Sequence, residues 1–214
     1  MPTSTITING SPVTLVELPA YPGIRTVDFT INETSAVSKG VFTGQTQTHP
    51  FPGADWLSGA FSLPQLTQDQ ADIWIAALMQ LRGMRNAFML GDPLRPRPRG
   101  TIHTAPVADG AGNVAMSSSI SVRGLEASKY GVLLPGDYVQ IGYRLHRVLD
   151  RINTDATGKA VIPIFPTLRE TVADGTVLNL NNPKGLFRLS QNANKWSSDY
   201  TRTSAISVNF TEYR

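Results

Sequence analysis

Hydrophobic and polar positions alternate with a period of two in several stretches of this chain, and the period lengthens convincingly only once. Trp74, Ala77, Leu78 and Leu81 fall at i, i+3, i+4 and i+7, which places them in one apolar stripe of a helix. Thr67 stands at the N-cap position with Gln70 three residues on, the spacing of a capping box. Asp69 and Asp72 favour the positive end of the helix dipole, and Arg82 the negative end. Gly83 sits where a left-handed stop is wanted. The pattern predicts a single helix over about 67–82. A strand precedes it, with Leu57, Phe61 and Leu63 on one face, and a strand with Phe88 and Leu90 follows.

Upstream, Thr5–Ile8 and Val13–Leu18 flank the turn pair Asn9-Gly10, forming either a small hairpin or an arm that pairs elsewhere. Val27, Phe29 and Ile31 alternate with Thr26, Asp28, Thr30 and Asn32, as in a half-buried antiparallel strand. Residues 32–39 read as a turn. Residues 40–49 read as a strand, which Pro50, Pro52 and Gly53 break. A boundary falls between Gly100 and Pro106. Beyond it, short strands recur about every ten residues with turn residues between them, as in a small barrel. Within β stretch Lys159–Phe165, Pro163 calls for an edge position or a bulge. Residues 201–213 alternate once more, and the expected place for this last strand is the first sheet. The expected fold class is therefore mostly β (β-rich α+β): three or four antiparallel strands with one helix laid across one face, plus a small inserted β-barrel. One domain spans 1–103 and 191–214, and the inserted barrel spans 104–190.

The chain has 214 residues, 41% of them hydrophobic and only 16% charged. Charge usually accounts for about a quarter of residues, so polar uncharged side chains must cover much of this surface. That suits β-rich proteins and surfaces covered by neighbouring subunits. The net charge is +3, and the one dense basic run is Arg95, Arg97 and Arg99, interleaved with Pro96 and Pro98. Prolines hold such a run extended, which fits a docking segment at least as well as a phosphate grip. The chain has no cysteine, so disulfides and thiolate zinc sites are excluded. No apolar run approaches a membrane span, and the N-terminus lacks the basic and apolar regions of a signal peptide. The expected setting is a reducing cytoplasm, with no membrane insertion.

Catalytic chemistry is not apparent. His49, His103 and His146 have no ligand spacing among them, and packing or exposure accounts for each. No nucleophile elbow, phosphate loop or dinucleotide glycine pattern occurs. Asp92, Asp137, Asp155 and Asp174 neighbour turn residues, where Asp bonds its own backbone. Trp74 lies on the helix stripe and reads as core, whereas Trp56 and Trp196 fit either packing or a sugar-stacking platform. Tyr138, Tyr143, Arg144 and Arg147 are a thin version of an oligonucleotide-binding surface. The chain is expected not to be an enzyme, with no catalytic, cofactor-binding or metal residues and no cofactor.

Five segments in order carry a resemblance. They are Phe42-Thr-Gly-Gln, residues 74–83 (Trp-Ile-Ala-Ala-Leu-Met-Gln-Leu-Arg-Gly), residues 88–93 (Phe-Met-Leu-Gly-Asp-Pro), residues 135–142 (Pro-Gly-Asp-Tyr-Val-Gln-Ile-Gly) and residues 182–189 (Asn-Pro-Lys-Gly-Leu-Phe-Arg-Leu). Together they resemble the distal tail proteins, minor tail or baseplate ring proteins of long-tailed bacteriophages, and the likeness runs from about Ile24 to the C-terminus. The resemblance implies a tail-tube-like ring domain, a β-sandwich or split barrel with one helix, and a peripheral second domain, in some members an oligonucleotide/oligosaccharide-binding barrel. It implies a structural role in a ring, commonly a hexamer, that joins the tail tube protein to the baseplate hub protein at the virion tail tip. Assembly would take place in the bacterial cytoplasm, and DNA would pass only transiently through the lumen. The family has no catalytic signature, so no functional residue carries over. The N-terminal arm and the Pro-Arg run are the expected contact segments. The alternative is a module of the tail tip that binds a host-surface saccharide through the inserted barrel.

Overall fold

The computed structural model describes every residue except Met1, Asn9, Ala111, Asn194 and 199–202. The Asn9 half of the expected turn pair and the start of the expected last strand therefore lie outside the described residues. In chain order the elements are β1 (Thr3–Ile8), β2 (Ser11–Val16), β3 (Thr26–Lys39), β4 (Thr46–Ser62), β5 (Leu66–Thr67), α1 (Gln68–Leu81) and β6 (Ala87–Leu90). They continue with β7 (Val107–Ala108), β8 (Ser119–Arg123), β9 (Tyr138–Ile141), β10 (Arg144–Val148), β11 (Ala160–Phe165) and β12 (Leu178–Asn179). Last come β13 (Gly185–Leu189), β14 (Trp196–Ser198) and β15 (Thr203–Glu212). The described chain is mostly β with one α-helix.

Two compact units divide it. The first holds Met1–Thr30, Leu57–Leu94 and Lys184–Arg214, and the second holds Ile31–Trp56 and Arg95–Pro183.

In the first unit the sheet order is β1-β2-β6-β13-β15-β4-β3, with β14 and β5 also on β15. The N-terminal stretch forms a hairpin, Thr3↔Val16 through Ile8↔Ser11, and joins the sheet where Leu15 pairs with Ala87. β15 lies between β13 and β4, with Leu189↔Phe210 on one side and Phe210↔Gly59 on the other. β15 thus lies in this sheet, as expected of the last strand, and the sheet exceeds three or four strands because the N-terminal hairpin and β13 enter it as well. β13 is a correction: the expected barrel of 104–190 does not contain it, and Phe187 pairs with Phe88 of β6 instead. The alternation of Leu186–Leu189 was the same for either sheet, and only the partner decides. β13 is buried throughout except at Arg188, which fits a strand in the middle of a sheet.

The helix starts and packs as its stripe requires. Ala71, Trp74, Ala77, Leu78 and Leu81 are buried, and Gln70 Oε1 accepts the Thr67 N–H at 3.1 Å. The left-handed turn begins one residue before Gly83, at Arg82 (φ 50°, ψ 49°), and Gly83 continues it at φ 66°. Asp69 alone is acidic in the first turn; Asp72 falls in the next. Under the helix lies an aromatic cluster: Phe61 stands 6.1 Å from Trp74, 6.2 Å from Phe88 and 6.3 Å from Phe210, centroid to centroid. Phe187 meets Phe210 edge-on at 5.0 Å. The Trp74 indole N–H donates to Pro22 O at 3.3 Å, so this fully buried side chain has its polar atom satisfied.

Gly59 marks a tight approach of β3 to β4. A methyl group there would come within 1.9 Å of Asp28 O, a backbone atom that cannot swing away. Gly59→Ala is expected to cost about 1–3 kcal/mol by overpacking, read as a lower urea midpoint; an unchanged midpoint would show that the two strands part freely.

The second unit carries a six-stranded sheet, order β12-β9-β10-β11-β8-β7. Val107 bridges Val177, next to β12, so the first and last strands of that order meet and the sheet curls into a nearly closed barrel. Its interior is aliphatic, including Ile120, Val122, Leu133, Val139, Ile162 and Ile164. Pro163 is at neither an edge nor a bulge. It sits where β11 changes partner, from β8 (Ala160↔Val122 to Pro163↔Ser119) to β10 (Ile164↔Val148). A missing N–H is tolerated at such a hand-over.

Also in this unit is a segment whose elements the sequence pattern misplaced. β3 runs through residues 32–39, the turn occupies 40–45, and β4 starts at Thr46 and passes through Pro50, Pro52 and Gly53. A strand paired on only one side accepts proline if the imide nitrogen faces away from its partner. β4 meets β15 only from Ser58 onward, so residues 46–56 satisfy that condition. The result is a two-stranded arm over 31–56.

Candidate functional site

The arm is the most conspicuous surface of the described chain. Every residue from Glu33 to Pro52 is exposed, including Val37, Val41, Phe42 and Phe51, and Phe42 is fully so. Ile31, expected on the buried face with Val27 and Phe29, is 67% exposed, because the buried face ends where the arm begins. Between Glu33 and Pro52 the charged residues are Glu33 and Lys39 alone. Isolated two-stranded ribbons are marginal in water, and ribbons with uncharged edges are prone to association.

The root of the arm, by contrast, is fixed. Asp55 is buried, and its carboxylate accepts the Thr167 N–H at 2.5 Å, the Thr167 hydroxyl at 2.7 Å and Arg169 Nη1 at 3.1 Å. Arg169 also donates to Gly53 O at 3.1 Å and to Asp55 O. The side chains of the pair are 9% and 8% exposed. Burial alone would raise the Asp55 pKa, but the Thr167 hydrogen bonds and Arg169 outweigh it and hold the carboxyl below its usual value. Asp55→Ala strips a buried arginine of its partner and is expected to cost about 3–5 kcal/mol. A loss under about 1 kcal/mol, the scale of an exposed pair, would show that the clamp is unimportant. The sign of the pH effect follows. A lowered folded pKa contributes stability that is present above the ordinary carboxylate pKa of about 4 and lost as pH falls through the folded value. Acid unfolding of the wild type should therefore lose this contribution below about pH 4, while Asp55→Asn should flatten that limb of the stability curve.

Sequence reasoning did not single out Asp55, since its partners lie 112 and 114 residues away. The acidic residues it did single out are structural. Asp92 accepts the Leu94 N–H at 2.9 Å in a turn. Asp137, buried, accepts from Leu134 N at 2.9 Å, Arg99 N at 3.1 Å and Arg99 Nε at 3.2 Å. One member of the Pro-Arg run is therefore tied into the second unit, while Arg95 and Arg97 stay exposed. Asp155 accepts from Lys159 N, the Thr157 hydroxyl and Thr157 N within 2.9 Å, and these bonds lower its pKa. Asp174 is likewise held low, first by Arg123 and then by the Gly110 N–H. Arg123 also reaches Asp109 at 3.1 Å, and Lys159 reaches Asp109 at 2.8 Å, so this chain of charges ties β7, β8, β11 and the segment before β12 together.

The histidines and aromatics do not converge. His146 is buried, its Nδ1 2.7 Å from Pro166 O; His49 and His103 are exposed. Trp74 is core, Trp56 is half-buried on β4 and Trp196 is 43% exposed on β14. Of the barrel's basic-aromatic set, Tyr138 is buried under the Arg147 guanidinium at 5.3 Å and Arg144 is buried against Glu170 at 3.2 Å. Tyr143 alone among them presents a 40% exposed ring. A depression of about 420 Å³ on the barrel is lined by Asp109, Ser121, Asn153, Asp155, Lys159 and Val161 among others, none of them aromatic. Among the described residues no group of three or more His, Asp or Glu is placed to hold a metal. Among the described residues no helix is long and apolar enough to cross a membrane.

No family model matches the chain, and no curated protein matches it either.

Proposed function

We propose that this chain is a structural subunit of a phage tail tip, a ring-forming protein that joins the tail tube to the baseplate hub, with DNA passing through the lumen. The observation that carries the proposal is the arm. Twenty exposed residues, 33–52, with two opposite charges and a fully exposed Phe42, are anchored at the root by the buried Asp55–Arg169 pair. A soluble monomer gains nothing from displaying such a ribbon, whereas a subunit covered by neighbours does. A mostly β chain with one helix and a second, barrel-shaped unit supports the same reading, as does the order of the five resembling segments. Its partners are further copies of itself, six in the commonest form of such rings, and the tube and hub proteins. Its location is the virion tail tip. Negative-stain electron microscopy of the purified protein, alone and with its hub partner, should show closed rings. Uniform small particles in both samples, and absence from isolated tail tips, would reject the proposal.

A further inference from the structure

We propose that the subunit contact is made edge to edge: the free side of β3 along residues 33–39 pairs with β1, Thr3–Ile8, of a second copy. This rests on the assembly reading above and names the surfaces that perform it. β1 and β3 are the two ends of the large sheet's strand order, and no further strand lies beyond either among the described residues. Each therefore presents a row of backbone donors and acceptors that a monomer normally protects by charge, proline, a bulge or a covering element.

The open side of the arm's other strand is protected. Along 46–56, β4 carries Pro50 and Pro52, whose imide nitrogens must face away from β3 for the strands to pair, so the outer side of β4 lacks two donors. Neither β1 nor residues 33–39 of β3 contains a proline. β1 has no charge at all, and the β3 segment has only Glu33 and Lys39 at its two ends. Thr3, Ser4, Thr5 and Thr7 of β1 are exposed, as are Thr34, Ser35 and Ser38 of β3, and hydroxyl pairs of this kind stabilise strands lying side by side. Nothing in this pairing repels. A second copy fits because it supplies both edges. β1 meeting β3 uses two different surfaces, so the contact repeats head to tail and gives a ring where the rotation closes.

The chain has no cysteine, which makes a clean test available. Thr5→Cys protein is mixed with Thr34→Cys, Ala36→Cys or Ser38→Cys protein and oxidised, since side-by-side strands bring Cβ atoms within disulfide reach. The expected result is a cross-linked heterodimer for at least one mixture and no dimer from any variant alone. Dimers from a β3 variant alone would mean β3 pairs with β3, and would overturn the inference. Absence of cross-links in an assembly that light scattering shows intact would also overturn it, leaving the ring proposal standing. A wild-type protein that stays monomeric in the same assay would remove both.

Discussion

Replacing residues 34–51 by a short turn is expected to leave a folded chain that no longer assembles. The excision removes Val37, Val41, Phe42 and Phe51 and most of the proposed β3 edge, but keeps Gly53 and Asp55, so the root of the arm retains its bonds to Arg169 and Thr167. The lost residues are all exposed and contribute little to the stability of a single copy. Association should weaken at least about a hundredfold, equivalent to some 2.8 kcal/mol or more of lost interface free energy. The readout is molar mass by light scattering across a dilution series, with the urea midpoint as control. An arm-less protein that assembles like the wild type would place the subunit contact elsewhere. One that unfolds would show that the ribbon is part of the monomer's fold.

The second large effect concerns the helix. Trp74→Ala removes the largest fully buried side chain, the indole that packs against Phe61 at 6.1 Å and donates to Pro22 O at 3.3 Å. Aromatic-to-alanine changes in close-packed cores cost about 3–5 kcal/mol, and the lost hydrogen bond leaves Pro22 O without that donor. This is a sizeable part of the stability of an ordinary domain. Urea unfolding followed by tryptophan emission should show a much lower midpoint. Phe29 serves as a comparison, since it is only partly buried and its ring meets Phe187 and Phe210 at 6.2 and 5.6 Å. A smaller loss for Trp74→Ala than for Phe29→Ala would mean that the helix does not seal the aromatic cluster.

These two results probe different levels of legibility. The helix was fully written in the sequence, because its stripe, its capping pair and its stop are local signals. Two details differ: the left-handed turn begins at Arg82 rather than Gly83, and Asp72 falls beyond the first turn. Strand identities in the barrel were legible for the same reason. Strand partners were not. Leu186–Leu189 alternates as a barrel strand would, yet Phe187 is drawn to Phe88, Phe210 and Phe29 in the other sheet. The arm was hidden more deeply. Pro50, Pro52 and Gly53 are strand breakers in a sheet interior, and they pass unnoticed into a strand only when one side of it is unpaired. Likewise Asp55 looks like any strand aspartate until Thr167 and Arg169 come round to meet it. Of the residues that did stand out, Asp92 and Asp155 are spent on bonds to near neighbours in the chain, whereas Asp137 meets Arg99, Asp174 meets Arg123 and Gly110, and His146 meets Pro166 O, partners that no local pattern announces.

The most direct measurement of the central claim is the molar mass of the wild-type protein by sedimentation velocity, from nanomolar to tens of micromolar, beside the arm-less variant. The wild type is expected to be a discrete closed oligomer that gives way to monomer only on dilution, and the variant a monomer throughout. A wild-type chain that remains monomeric over the whole range, with the arm as exposed as before, would contradict it.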